Sequence, residues 1–221
     1  MRFPNESRAY RKARNLLLKE EQQLRAKVKS VAAKRRKLPL GGELQEDYVV
    51  QWANDGRVGR NVRLSTLFGD KKTLLIYSFM FGPHWDKPCP SCTSLMDGFD
   101  RTWYSVSRNA AFVAIAKAPA RKINAWARKR GWSQIPLVSG FKSTYQADYG
   151  HQGDTDDDQL AGMNVFRKRG RKIFHFWAAE GSLDTVWPYW NLMDLTPEGR
   201  PDIPTPPQDF RPGFFEKHYL D

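Results

Sequence analysis

Residues 73–81, Thr-Leu-Leu-Ile-Tyr-Ser-Phe-Met-Phe, form a nearly unbroken apolar run that ends at Gly82 and Pro83, and shortly afterwards the chain reads Cys89-Pro90-Ser91-Cys92. The run is bounded by turn residues and rich in Ile, Tyr and Phe, which predicts a central strand buried on both faces. Cys89 and Cys92 are the only two cysteines. A C-x-x-C at the mouth of a predicted helix, just beyond a buried strand, presents one thiol to attack and a second to resolve. The pair is no scaffold staple, since a bridge between them closes a loop of only four residues.

Outward from that stretch the pattern alternates. Residues 92–107 place Leu95, Met96, Phe99, Trp103, Tyr104 and Val106 along a helical face. Residues 110–116 predict a second buried strand, 119–131 a helix with Pro119 near its start and Gly131 as its stop, and 135–139 a third short strand. Strand, helix, strand, helix, strand in that order predicts a parallel unit with right-handed crossovers. Next, 165–167 and 172–177 flank Lys168-Arg169-Gly170-Arg171 as an antiparallel hairpin. Residues 183–195 read as an aromatic-rich helix, and the Pro-rich stretch from Pro197 as extended chain. Upstream, 48–52 and 58–64 flank the hairpin signal Asn54-Asp55-Gly56, and 65–68 form a helical turn.

The 221 residues, 40% hydrophobic and 13% aromatic, suffice for one domain with appendages. No run reaches the roughly 18 apolar residues of a membrane span, and the basic N-terminus lacks the apolar stretch and cleavage site of a signal peptide. A cytoplasmic address with no membrane partner is therefore expected. In that reducing compartment a close cysteine pair points to redox or metal chemistry ahead of a structural disulfide.

The formal net charge of +12 is unevenly placed: residues 1–40 hold 13 Lys and Arg against 3 Glu, a net +10 that leaves +2 for the rest. Residues 7–38 contain no Gly or Pro and predict a long helix. Tyr10, Ala13, Leu17, Leu24, Val28 and Val31 share one stripe, broken by Glu20. The stripe suits an amphipathic arm laid on its own domain, ahead of homodimerisation or contact with an acidic surface. Lys34-Arg35-Arg36-Lys37 has no interleaved aromatics and no recognisable binding fold around it, which argues against nucleic acid. The expected organisation is a basic helical arm at 1–40, an α/β domain at 41–200 and an extended tail at 201–221.

Other constellations carry less. Asp154, Asp156, Asp157 and Asp158 lack the spaced glycine and terminal glutamate of an EF-hand and read as a solvated loop and helix N-cap. His175 lies mid-strand between Phe174 and Phe176, either solvent-facing or near the dithiol. Trp177, Trp187, Tyr189 and Trp190 read as core and groove aromatics ahead of a cofactor box. Neither a dinucleotide glycine fingerprint nor a phosphate loop is present, and no cofactor is expected.

A parallel strand-helix-strand half, a hairpin and a last helix, with C-x-x-C after a buried strand of the first half, is similar to the thioredoxin-like architecture. That implies a three-layer α/β/α sandwich with a mixed central sheet, here preceded by a long N-terminal helix. More closely, the stretch from Ile76 to Trp85 and on through Cys89-Pro90-Ser91-Cys92 resembles a bacterial thioredoxin-like family classed as domain of unknown function 899. Supporting segments are the basic helix ending in Arg-Arg-Lys-Leu-Pro, Asp47-Tyr48-Val49, residues 116–119, Gly131-Trp132 and the closing Asp194-Leu195-Thr196-Pro197-Glu198-Gly199-Arg200. The resemblance implies the fold, and a thiol-disulfide oxidoreductase only by way of the fold. Two departures stand out. Thioredoxins proper place a cis-proline before the hairpin strand that faces the dithiol, yet here Gly162-Met163-Asn164 precede Val165. Residues 149–161 are also shorter and more acidic than in the family, and are expected to form a different rim.

At the dithiol, Cys89 is expected at the first helical turn, where free N–H groups and the dipole favour thiolate. Lys87 and a protonated His84 would add positive charge, and Asp86 would oppose it. Cys92, one turn inward, would resolve the product as the intramolecular disulfide. Trp85 would shield the site and offer a flat contact surface, and Pro90 suits an early helical position. The expected catalytic pair is thus Cys89 and Cys92, acting on a protein or small-molecule disulfide. The alternatives are a non-enzymatic redox-sensing or partner-binding module, a merely buried thiol couple, and a zinc site. Zinc would need two further ligands from His84, His151, His175 and His218. The peroxide-reducing signature P-x-x-x-T-x-x-C fails in both registers: Cys89 is preceded at those positions by Asp86 and Gly82, and Cys92 by Cys89 and Trp85. Peroxide reduction by a differently built site is the lesser branch.

Overall fold

Ser7 starts the first helix, its Oγ accepting the Tyr10 N–H at 3.0 Å. In the computed structural model, which describes residues 2–180 and 182–201, this helix, α1, spans Arg8–Arg35. Good helix formers carry it for 28 residues, and Lys34 and Arg35 in its last turn complement its dipole. No residue of α1 is buried, its apolar stripe included. The chain divides into two compact units, residues 1–39 and 40–221. Apart from Pro201, the tail expected at 201–221 lies outside the described residues.

The second unit is built on seven strands: β1 (Val49–Trp52), β2 (Asn61–Arg63), β3 (Thr73–Ser78), β4 (Ala111–Ala116), β5 (Leu137–Ser139), β6 (Gly162–Arg169) and β7 (Lys172–Ala178). They form one sheet in the order β2-β1-β5-β4-β3-β6-β7. Helix α2 (Pro90–Ser107) connects β3 to β4, and α3 (Ala120–Arg130) connects β4 to β5. These crossovers make β3, β4 and β5 parallel. The hairpin β6–β7 lies antiparallel against β3. The hairpin turned at Asn54-Asp55-Gly56 adds β1 antiparallel to β5, so the sheet is mixed.

Alternation along β3 and β4 sorts side chains onto two faces. Tyr77, Phe79, Phe112 and Ala114 join Met96 and Phe99 of α2 and Ile123 and Trp126 of α3. Leu74, Ile76, Val113 and Ile115 face the other way, against Phe68 of a 3-10 turn (Leu64–Phe68), Tyr145 of the single-turn α4 (Tyr145–Asp148) and Phe166. Each such side chain, fully buried, contributes about 1.5–3 kcal/mol. The result is a thioredoxin-like three-layer α/β/α sandwich whose second helical layer is thin.

Helix boundaries follow their local chemistry. Gly131 ends α3 at φ 73°, where a side chain would be strained. The helix expected over 183–195 is instead a 3-10 turn, Asp184–Val186, followed by α5 (Pro188–Met193). Pro188 has no N–H to continue a helical ladder through Trp187, which is extended at φ −99°, ψ 104°. No helix follows the acidic loop either: a loop leads into β6. Two carboxylates pin α2 to the far side of its crossover. Asp97 pairs with the Arg130 guanidinium and accepts Trp132 Nε1–H at 2.7 Å. Asp100, buried, accepts the N–H groups of Gln134 and Ile135 at 2.8 and 3.0 Å. No helix among the described residues is long and apolar enough to cross a membrane.

Candidate active site

The apolar run outlasts β3. Phe79 N–H donates to Ile115 O at 3.0 Å and Ala118 N–H to Phe81 O at 2.8 Å, so the chain follows β4 as far as Gly82. Cys89 N–H then donates to Met80 O at 2.9 Å, folding residues 81–88 back on the strand end. Cys89 becomes the N-cap of α2 at φ −54°, ψ 131°, with Pro90 as the first helical residue. Its carbonyl accepts from Thr93 N–H at 2.9 Å and Thr93 Oγ1–H at 3.0 Å. Both cysteines are free thiols; Cys89 is half-buried and Cys92, one turn inward, is 3% exposed.

The two sulfurs ionise in opposite senses. Cys89 is lowered to about 6 by the hydrogen bond from Cys92, then by the backbone N–H groups of Cys92 and Ser91 and the Ser91 hydroxyl, which together outweigh burial. Its bond to Cys89 and its burial push Cys92 well above the ordinary thiol range. At neutral pH the half-exposed sulfur is therefore a thiolate and the buried one holds a proton. His84 and Lys87 are exposed and are not among the main groups that set Cys89.

His84 has a different partner. Its N–H donates to Asp157 Oδ1 at 3.0 Å, and its Nδ1 lies 2.6 Å from Asp157 Oδ2. Lys122 Nζ donates to Pro83 O at 3.1 Å from the helical side. The neighbouring Asp156 pairs at 3.1 Å with the buried Lys117. The acidic segment thus clasps the loop that delivers Cys89. Gly82 makes the clasp close: a Cβ there would meet the Asp157 carboxylate and would lie 2.7 Å from Trp85 Nε1. Trp85 is half-buried and rests against the same core as Cys89.

Beside the sulfurs opens a hollow of about 300 Å³, lined on its apolar side by Tyr77, Met80, Leu95, Ala161, Leu183 and Trp187. Trp187 Nε1–H donates to Ser94 Oγ at 3.1 Å, fastening the 183–187 segment to α2. Ala161, just before β6, lines this hollow, and no cis peptide bond occurs among the described residues. A larger cavity of about 650 Å³ lies at the start of β3 and the β6–β7 turn, lined by Lys71, Lys72, Arg167, Lys168 and Arg169 among others. No cysteine lines it, whereas Cys89 and Cys92 both line the smaller hollow.

His151 and His175 stand on the opposite face. His175 Nε2 is 2.9 Å from Asn164 Oδ1, and Asn164 Nδ2 is 2.7 Å from His151 Nε2. Burial lowers His151 to about 4, so this is a neutral polar network within the second core. Among the described residues no group of three or more His, Cys, Asp or Glu is placed to hold a metal ion. His218 lies outside them. Trp187 and Trp190 are buried in the dithiol-side core, with Tyr189 packed against it. Sequence reasoning missed Ser91, Asp157 as partner of His84, and Tyr77; for Tyr77 the one available signal is a phenol inside an otherwise apolar strand.

Several solved structures are similar. Peroxidoxin BcpB from Mycobacterium tuberculosis is 20% identical at a TM-score of 0.48, covering 67% of this chain and 89% of that one. Peroxiredoxin Q from Xanthomonas campestris is 16% identical at 0.47, covering 65% and 85%. AhpC from Enterococcus faecalis is 10% identical at 0.51, covering 65% and 81%, a likeness of fold alone. None of the curated proteins matches. The family model for the bacterial protein of unknown function DUF899 matches residues 2–212, and the chain belongs to that family.

Proposed function

We propose that this protein is a thiol-disulfide oxidoreductase of a reducing, cytoplasmic compartment, in which Cys89 attacks and Cys92 resolves. The observation that carries the reading is the opposed ionisation of a half-exposed N-cap sulfur and a buried partner one turn away. The Cys89 thiolate attacks one sulfur of a substrate disulfide, forming a mixed disulfide and expelling the first substrate thiolate. Cys92 then loses its proton and attacks Cys89 Sγ. The Cys89–substrate bond breaks, the second substrate thiolate leaves, and the enzyme dithiol has become a disulfide. An external dithiol restores the reduced pair. The apolar hollow beside Cys89 receives the group that flanks the substrate disulfide.

The test combines a thiolate titration at 240 nm, a redox equilibrium against glutathione, and turnover of a small disulfide with dithiothreitol as reductant. The expected result is a thiolate midpoint near 6, a reversible two-electron couple, and turnover abolished by Cys89→Ser. A protein that oxidises once, slowly, changes conformation and never turns over would instead be a redox-sensing module. One that consumes a hydroperoxide and leaves disulfides untouched would be a peroxide reductase.

A further inference from the structure

Tyr77 is wholly buried on β3, and its hydroxyl has no nitrogen or oxygen partner. Phe99 holds the ring edge-on at 5.1 Å between centroids and 81° between planes. The groups that act on this hydroxyl are the two sulfurs, Cys92 foremost. Tyr77 and Cys92 line the same hollow, and the hydroxyl already bears on Cys92 as a hydrogen-bonding neighbour that lowers it, although its alignment falls short of a full bond in the reduced pair. A neutral thiol is a weak acceptor, whereas a thiolate is a strong one. A buried hydroxyl so poorly paired is destabilising, and Cys92 becomes a much better acceptor for it once it is a thiolate.

Resting on the oxidoreductase reading, we propose that Tyr77 is a positioning residue for the resolving step, its hydroxyl donating to the Cys92 sulfur when that sulfur becomes a thiolate. Burial holds the phenol itself well above its ordinary pKa, so Tyr77 keeps its proton throughout and serves as a donor, not a base. In the mixed disulfide, Cys89 carries no charge and can no longer accept from Cys92. The proton leaves Cys92, ultimately to reach the departing substrate thiolate, and the Tyr77 hydroxyl takes over the nascent negative charge. The Cys92 thiolate then attacks Cys89 Sγ, and its charge passes to the leaving sulfur. The other groups that bear on Cys92 are Cys89 and the Met80 backbone. Asp184, on the rim of the hollow, is engaged by Arg200 at 2.7 Å.

Tyr77→Phe keeps the ring and removes the donor. In a Cys89→Ala background, the Cys92 midpoint at 240 nm should rise by about one unit on adding Tyr77→Phe. With both cysteines present, release of the second thiol from a preformed mixed disulfide at pH 7 should slow about tenfold, while the Cys89 alkylation midpoint stays near 6. A second measurement needs no change at Tyr77: in Cys89→Ala, the near-UV tyrosine band should shift in step with Cys92 thiolate absorbance. A Cys92 midpoint indifferent to Tyr77→Phe, or a tyrosine band indifferent to Cys92, would overturn the assignment. Failure of the parent protein to turn over any disulfide, with both shifts present, would sink the oxidoreductase reading and leave the Tyr77–Cys92 interaction standing.

Discussion

Cys89 and Cys92 differ in burial by one helical turn, and their ionisation diverges with it, Cys89 lowered and Cys92 raised. The pH dependence of Cys89 alkylation should follow from it with a definite sign. The thiol is depressed to about 6, so the rate should fall below that pH and level off above about 7. Cys92→Ala removes the strongest donor to the Cys89 sulfur but leaves the backbone N–H groups in place. The midpoint should therefore move up toward the free value of about 8.5 without reaching it. A midpoint unchanged in Cys92→Ala, followed by iodoacetamide labelling, would mean that the helix terminus alone sets the thiolate. Only part of this site is legible in the sequence. Spacing alone identifies the two sulfurs and Pro90 at the helix start. His84 and Lys87 are equally visible as letters, but the hydrogen bonds that set Cys89 come from Cys92 and Ser91, brought to its sulfur by the N-cap geometry. The Tyr77 hydroxyl is hidden for another reason: within an apolar run, a tyrosine reads as a large core ring.

At the scale of elements, the loop over 81–88 is held from two sides, and its clasp to the acidic segment is electrostatic. Asp157 is depressed below the ordinary carboxylate range, first by the His84 N–H and then by the His84 ring. A depressed carboxylate stabilises the fold fully above its unfolded value of about 3.9 and loses that contribution as pH falls through the lower folded value. Hydrogen-exchange protection of the His84 amide should accordingly persist to unusually acid pH and then collapse. Asp157→Asn should weaken that protection at pH 7 and flatten its acid limb; protection equal to the parent across the range would show that Lys122 and the backbone hold the loop unaided. Elements whose signals are local are the ones the sequence reveals: the two-faced strand β3, the Gly131 stop of α3 and the hairpin at Asn54-Asp55-Gly56. The His84–Asp157 contact spans 73 residues and has no local signal. The break at Trp187 is masked because aromatics continue on both sides of Pro188.

Taken as a whole, the molecule separates its charge from its chemistry. Every residue placed here around Cys89 and Cys92 belongs to the unit 40–221, whereas +10 of the net +12 belongs to residues 1–40. The ionisation of Cys89 arises from groups within one helical turn, and such short-range hydrogen bonds are far less sensitive to distant charge than is an exposed surface screened by salt. A chain beginning at Leu40 should therefore keep its Cys89 midpoint near 6 and its redox equilibrium with glutathione. The same chain should elute from a cation exchanger at pH 7 at much lower salt than the full protein, because roughly four-fifths of its net positive charge has gone. Retention tests the charge argument, and the thiolate titration tests the independence of the site. A midpoint that moves on removing residues 1–39, with the seven-stranded unit still folded by circular dichroism, would show that the basic helix acts on the dithiol. Its charge would then belong to the redox mechanism as well as to the surface of the protein.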